Sequence, residues 1–486
     1  MNLRHTGAGL SMLVALAALA PACNVGPDYK GPPKTAVIHR PTAQAVFVSA
    51  NDPSLSTGAA NEGPWWQLYQ DPVLDELVMA AFAANTDLRV AQANLARSRA
   101  ALMAVRAGQL PQVRIDSAVR YGHISGESVL QFEPVPAAWL YDAGIDVSYE
   151  IDLVGKLRRG VEAARAEDEA VQAAVDLTRI TVAAETARAY SDVCAIGHEV
   201  GVARSSVELE EEVDDVTRRL VDAGRRSTLD LTRSQAELER LRSLIPPLEA
   251  RRNISLFRLA VLTGKPPAEF PRTAMGCERP LRLTTPIPVG DGAALLRRRP
   301  DIRQAERSLA VATAKIGVAT AELYPSVGLG LGVGGLGLLD HIGQASTIRV
   351  GVGPFISWNV PNVSLARAKI AGAEADANAA LARFDAAVLN ALLETESTLT
   401  TYARDLESHQ SLERSRDKNG EAEQQSRVLY TGGREGYLDA LDARRSLANA
   451  ESTLARSETK LSTDQIQLFL ALGGGWQTNE EEKEEK

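Results

Sequence analysis

Two patterns of apolar and polar positions run along this chain, and they come in the same order twice. In Val113, Ile115, Ser117, Val119, Tyr121 the apolar side chains fall on one face of an extended segment, with Arg114, Asp116 and Arg120 on the other. The next such segment sets Ile145, Val147, Tyr149, Ile151 and Leu153 against Asp146, Ser148, Glu150 and Asp152. Further on, Ile348, Val350, Val352, Ile356, Trp358 and Val360 alternate with Arg349, Gly351, Ser357 and Asn359. Strands are therefore predicted over 112–122, 143–154, 326–334 and 348–360. Helical periods fill the rest: 85–109 and 301–323, each ending just before a Pro; two very long helices over 159–222 and 364–429; and medium helices over 228–263 and 436–472. The first long helix carries three- and four-residue spacing through Val193, Ile196, Val200, Ala203 and Val207, then Val213, Val216 and Leu220, which predicts a coiled-coil-like seam.

The recurrence is a duplication. Residues 87–113 align without a gap on 301–327, pairing Asp87 with Asp301, Arg89 with Arg303, Leu95 with Leu309, Ala100 with Ala314 and Pro111 with Pro325. Downstream, Gly224-Arg225 and Leu229-Asp230 align on Gly433-Arg434 and Leu438-Asp439. The fold class is α+β, a helix–strand–strand–long helix–helix unit written twice: 71–264 and 291–473, joined by a Pro-rich linker at 265–290. The two shorter helices of a copy together match the long one, so they can stack end to end beside it. At about 1.5 Å per residue such a rod is on the order of 100 Å long.

Alternation with ionised groups on one face fits lipid-out, water-in barrel strands; a half-buried soluble sheet is the alternative. One chain offers four strands, too few to close a barrel. Two chains give eight strands and a lumen filled by side chains; three give twelve and a water-filled pore. A trimer is the smallest assembly that makes a duct.

Composition agrees with long, close-packed helices, since only 5% of residues are aromatic while 45% are hydrophobic. The formal charge of −9 leaves no basic patch for nucleic acid. Residues 1–22 resemble an export signal: Arg4, the apolar run Leu10–Ala20, then Ala20-Pro21-Ala22 with small residues at −3 and −1. Cys23 follows the cut and can be acylated, for instance by palmitate, to bind the chain to outer-membrane lipid; ordinary secretion with an incidental Cys is the alternative. Residues 23–70 are expected to form an N-terminal tail and 474–486 a solvated acidic one. Cys194 and Cys277 lie far apart and are expected to be lone structural cysteines, although an oxidising compartment would let them pair. The six histidines show no metal-ligand spacing, and no cofactor or metal is implied.

Several stretches resemble one family. Cys23-Asn24-Val25-Gly26-Pro27-Asp28-Tyr29 is similar to the mature start of the lipoprotein outer-membrane factors of tripartite pumps. Trp65-Trp66 with Asp71-Pro72-Val73-Leu74-Asp75, the segment Leu295-Leu296-Arg297-Arg298-Arg299-Pro300-Asp301-Ile302-Arg303-Gln304-Ala305-Glu306, the passage Tyr149–Lys156 and the end Ala471–Trp476 resemble the same family. The chain is identified as similar to the TolC-like, NodT-type lipoproteins over essentially its whole mature length. That resemblance implies lipidation of Cys23 and a homotrimer whose twelve-stranded barrel continues into a twelve-helix periplasmic tunnel. It also implies a periplasmic adaptor (membrane fusion) protein and an inner-membrane pump of the resistance–nodulation–division (RND) class. The family's tip constriction corresponds here to Tyr430, Asp439 and Asp442, with Asp230 at the acidic position of the first copy. The family's gate Arg falls at Glu435, with Arg434 one residue away, so the acidic ring carries the expected gate and places it in the second copy. The expected adaptor contacts are the two turns, Gly224, Arg225 and Arg226 in one and Gly433 and Glu435 in the other.

Gly330-Leu331-Gly332-Val333-Gly334-Gly335 formally fits a dinucleotide fingerprint but leads into no helix, and it is assigned to a Gly-rich strand. No Walker Lys or nucleophile elbow is present, so no enzyme is expected. The competing functions are the same duct in a type I protein-secretion or metal-efflux system, and a non-transporting coiled-coil surface protein.

Overall fold

The structure, a computed structural model, describes residues 24–51, 55–56, 63–123, 125, 132–283, 286–358 and 363–473. The export signal, Cys23, the acidic tail and positions 359–360 of the fourth expected strand lie outside them. Each copy of the duplication follows the predicted order of elements. In the first, α1 (Pro72–Ala84) and α2 (Thr86–Ala107) precede β1 (Gln112–Gly122), β2 (Ala138–Ile151) and the long α3 (Lys156–Asp222), and then α4 (Thr228–Arg242) and α5 (Ile245–Leu262). In the second, α6 (Gly292–Arg298) and α7 (Pro300–Ala321) precede β3 (Ser326–Leu338), β4 (Ile348–Ser357), α8 (Val363–Thr431) and α9 (Tyr437–Leu472). No helix of the described residues is long and apolar enough to cross a membrane.

Several boundaries differ from expectation. The second strand spans Ala138–Ile151, not 143–154, because its start pairs with Val119–Gly122 on one side and Leu336–Leu338 on the other. It stops where the Asp152 carboxylate accepts the Arg158 amide at 2.9 Å and Gly155 takes a left-handed φ of 84°. The third strand runs on to Leu338, and the fourth ends at Ser357. The expected helix over 228–263 is two helices, broken at Ser243–Leu244. Pro246 and Pro247 have no amide to donate, so they fit only the first turn of a new helix. Its counterpart α9 has no Pro and runs unbroken for 36 residues.

Two compact units emerge. One contains Leu95–Val171 and Ala305–Phe384 with the described residues up to Pro33; the other contains Lys34–Asn94, Gln172–Gln304 and the described residues from Asp385. The first holds a four-stranded antiparallel sheet in the order β1-β2-β3-β4. The second is built on a core of Trp65, Leu74, Val78, Leu256, Leu259, Ile466 and Leu468. Within it the stretch expected as a tail is packed: Phe47, Trp65 and Trp66 are buried, Trp65 stacks on Phe469 at 4.9 Å, and Leu55–Ser56 pairs in parallel with Ile287–Pro288. The family-like segment 295–306 has a structural task here. Arg298 Nε donates to Leu472 O at 2.5 Å and Arg299 Nη1 to Ala471 O at 2.6 Å, capping the carbonyl end of α9. Arg299 Nη2 also pairs with Asp301 and Glu394, each at 2.8 Å.

The seam of α3 departs from the apolar reading at its far end. Val193, Ile196, Val200, Val207 and Val213 are buried and Leu220 is partly buried, but Val216 is 40% exposed. The three- and four-residue spacing that passes through Val207 continues inward through Glu210, Asp214 and Thr217, all buried. Periodicity held; chemistry changed.

Cys194 and Cys277 form a disulfide, correcting the expectation of lone cysteines. Cys194 lies on a buried face of α3, and the linker is drawn onto that helix at Gly197, where a Cβ would come within 2.6 Å of Cys277 O. Arg252 Nη2 reinforces the strap by donating to Met275 O and Cys277 O at 2.7 and 2.8 Å. Folding brings together residues 83 apart in sequence, a separation from which pairing could not be read. Cys194→Ser is expected to lower stability by about 2–4 kcal/mol and to make residues 265–283 open to protease, measured by thermal unfolding and limited proteolysis of the purified protein. Arg299→Met, which strands two carboxylates, is expected to cost about 3–5 kcal/mol in the same melting assay.

Candidate functional site

The sheet register lines up apolar side chains in rows that cross all four strands. Val113, Val147, Leu331 and Val352 form one row, and Ile115, Ile145, Val333 and Val350 the next. Most of these residues are exposed, as are Val119, Tyr121, Ile348 and Ile356 on the same face. The opposite face carries the rows Arg114-Asp146-Gly332-Gly351 and Asp116-Gly144-Gly334-Arg349. A continuous apolar face behind a charged one is the division of a membrane barrel wall. The sequence Gly330–Gly335 sits inside β3, paired on both sides, and Gly330, Gly332 and Gly334 leave room on the polar face. Arg349 lies over Gly334 and Gly144 to reach Asp142 at 3.1 Å, and the Phe355 ring covers Gly328, where a Cβ would lie 2.3 Å away. Among the described residues, β1 and β4 each pair on one side only.

The mature N-terminal segment has a socket in the same unit. Val25 N donates to Val154 O at 3.0 Å. Arg159, whose side chain is 2% exposed, donates to Val25 O at 3.2 Å, Gly26 O at 3.3 Å and the Asp28 carboxylate at 2.6 Å. Its hydrogen bond and charge hold the Asp28 carboxyl below the usual range. Gly26 takes a φ of 81°, and a Cβ there would strike Gly317 at 2.5 Å. Residues 24–28 are thus read largely through their backbone, which explains why Arg159 was missed: its ligands are carbonyls without a side-chain signature.

The two helix turns are built alike. Gly224 and Gly433 both have φ 68°, and Arg225 N and Arg434 N donate back to Leu220 O and Leu429 O at 2.8 and 2.9 Å. Asp230 and Asp439 are each the third residue of the helix that follows, and Asp439 and Asp442 are exposed on α9. Tyr430 is buried instead, packed edge-on to Tyr437 at 6.1 Å. Arg226 crosses from the first turn to the second: its guanidinium lies 4.8 Å from the Tyr430 ring centre, and Nη2 donates to Glu435 O at 3.5 Å. The Glu435 carboxylate accepts Ser426 Oγ at 2.5 Å. Arg226 and Glu435, expected to face an adaptor, are half-exposed and also meet across the two turns, while Gly224, Arg225, Gly433 and Arg434 are exposed. The cation at this contact comes from the first copy, which sequence spacing alone could not show.

No group of His, Cys, Asp and Glu among the described residues could hold a metal ion. A family model described as "Outer membrane efflux protein" matches residues 77–265 and 293–474. Nodulation protein T of Rhizobium leguminosarum bv. viciae is 27% identical over 94% of this chain and 92% of that protein. The antibiotic efflux pump outer membrane protein ArpC of Pseudomonas putida is 28% identical over 96% of each. The solved outer-membrane channel OprN superposes with a TM-score of 0.86 at 34% identity, covering 94% of this chain and all of that one. With its duplicated helical unit, its sheet of lipid-suited rows and these likenesses, the chain belongs to the outer membrane efflux protein family, whose members are non-enzymatic channels of the outer membrane.

Proposed function

We propose that three copies of this chain close into a twelve-stranded barrel continuous with a helical tunnel, forming a passive exit duct for drugs or other small molecules. An inner-membrane RND pump would drive the cargo, and a periplasmic adaptor would join it to the duct. One observation carries this reading. A four-stranded sheet with an apolar face has, among the described residues, β1 and β4 each paired on one side only. Lipid leaves no partner for those edge amides and carbonyls, so the edges must pair with further copies. The names of relatives, antibiotic efflux pump proteins among them, support small molecules as cargo.

The exposed carboxylates of Asp439 and Asp442 would come together at the trimer axis as a ring of six and attract cations. Arg226, laid over Tyr430, would hold the first turn against the second, with the gate in the second copy and Asp230 beside it. The Arg159 socket supports acylation of Cys23, because it pins Asn24–Asp28 beside the passage at 152–159 that follows β2. A deletion strain is expected to become several-fold more sensitive to pump substrates, and the adaptor to co-purify with the tagged protein; unchanged susceptibility to every compound class tested sinks the efflux role. In planar bilayers, Asp439→Ala/Asp442→Ala should lose most of the cation preference of the wild type, and an unchanged reversal potential overturns the acidic ring. Cys23→Ser should abolish incorporation of labelled palmitate; retained label places the anchor elsewhere.

A further inference from the structure

Near the turns, the interior between the two helical hairpins carries a polar layer set among apolar side chains such as Val213, Tyr437 and Leu441. From α3 it receives Glu210, Asp214 and Thr217, which are 3%, 4% and 0% exposed; from α4, Ser234 and Glu237; from α8, Glu423 and Ser426; from α9, Arg444, 8% exposed. The duplication preserves part of this set. An acid lies ten residues, and a hydroxyl seven, before the turn glycine in both copies: Asp214 and Thr217 before Gly224, Glu423 and Ser426 before Gly433. In each copy an Arg one turn on pairs back to the acid, Arg218 to Asp214 at 2.7 Å and Arg427 to Glu423 at 3.8 Å.

This layer is under-bonded. Arg444 Nε and Nη1 have no hydrogen-bond partner, and its nearest acid, Glu423, stands 3.8 Å away. Thr217 Oγ1 and Asp214 Oδ1 are also without partners. A cavity of about 150 Å³ opens beside it, lined by Glu210, Glu237, Arg444 and Glu451 together with Leu241 and Leu441. Polar groups at seam positions cost stability, and a buried charge left without its counter-charge costs most.

We propose that this layer sets how tightly the hairpins of the two copies hold together near the turns, with Arg444 as the positioning residue and Glu210 as the partner whose proton decides the grip. Glu210 accepts Ser234 Oγ at 3.3 Å. Its carboxyl is pushed up to about 7, by burial first; Arg444 and Ser234 oppose the rise, while Glu237 and Asp214 add to it. Every packed element presents a group to it: Asp214 on its own helix, Glu237 and Arg240 on α4, Arg444 and Tyr437 on α9, with Glu423 of α8 behind Arg444. Burial would also raise Glu237, but hydrogen bonds from Arg240 and Arg445 hold it below its usual range, so it stays charged. Glu210 is therefore the proton site of the layer itself; Glu451, which lines the same cavity, is also raised by burial.

Because the packed state raises this carboxyl, packing is favoured while Glu210 is protonated. The grip is fully present below the ordinary Glu range and is lost progressively as pH rises from there through about 7. Above that, the charged carboxylate is better served in a loosened state where the cavity admits water. The effect on conduction rests on the turns forming the gate; the grip itself does not.

The test is hydrogen exchange of the full-length trimer in nanodiscs, followed by mass spectrometry from pH 5.5 to 7.5 and corrected for the intrinsic pH dependence of amide exchange. Peptides covering 205–220 and 423–445 should open on the order of tenfold more at the upper pH. Glu210→Gln should remove the step and keep the slow exchange, Arg444→Gln should raise exchange at all pH values, and Arg444→Lys should restore part of the protection. A flat wild-type profile, or a step that survives in Glu210→Gln, overturns the proposal. Channel opening is recorded in bilayers over the same range. An exchange step with no change in opening upholds the layer and moves the gate away from these turns.

Discussion

A backbone amide in hydrocarbon must find its partner within protein, and that requirement governs the rest of this molecule. The sheet satisfies it internally across three ladders and leaves it open along the outer sides of β1 and β4. A chain that carries such a sheet is incomplete alone. Assembly is then a consequence of hydrogen bonding as much as of apolar burial, and the duplication supplies strands in the number that lets few copies close a wide barrel. The glycines of β3 serve the same wall. They let Arg349 and Phe355 lie flat on the polar face, where larger residues would push them outward.

The two copies share geometry more than chemistry. Both turns use a left-handed Gly and the same backbone closure, since that is the short way to end one helix and begin the next. Their side chains diverge: Arg226 of the first turn lies over the Tyr430 ring and reaches the Glu435 backbone carbonyl of the second, while the Glu435 carboxylate is held by Ser426. The returning helix is broken by Pro246 and Pro247 in the first copy and continuous in the second. Like elements in unlike roles give a hairpin pair that can be asymmetric within one chain.

Fastening outside the sheet relies on groups that close chain ends. Arg298 and Arg299 cap the last carbonyls of α9, the disulfide binds the linker to α3, and Arg159 grips the first described residues. Each joins segments far apart in sequence. The polar layer behind the turns contrasts with these devices, because its groups are buried without full satisfaction and burial raises the Glu210 carboxyl within it.

The alternation in the strands, the order of elements and the duplication were legible in the sequence, because side-chain period and self-similarity are local properties that survive any packing. So was the Gly turn chemistry at Gly224 and Gly433, fixed by φ. Register was not, and only the paired sheet shows that Val113, Val147, Leu331 and Val352 share one row. The seam of α3 illustrates the limit. Its spacing predicted which face turns inward as far as Val213, but the choice between Val216 and Thr217 depended on α4, α8 and α9, whose positions no local pattern specifies. For the same reason the Cys194–Cys277 bond, the crossing of Arg226 onto Tyr430 and the burial of Glu210 beside Arg444 were decided by tertiary structure alone. Each depends on distances across the chain, and a linear sequence carries none.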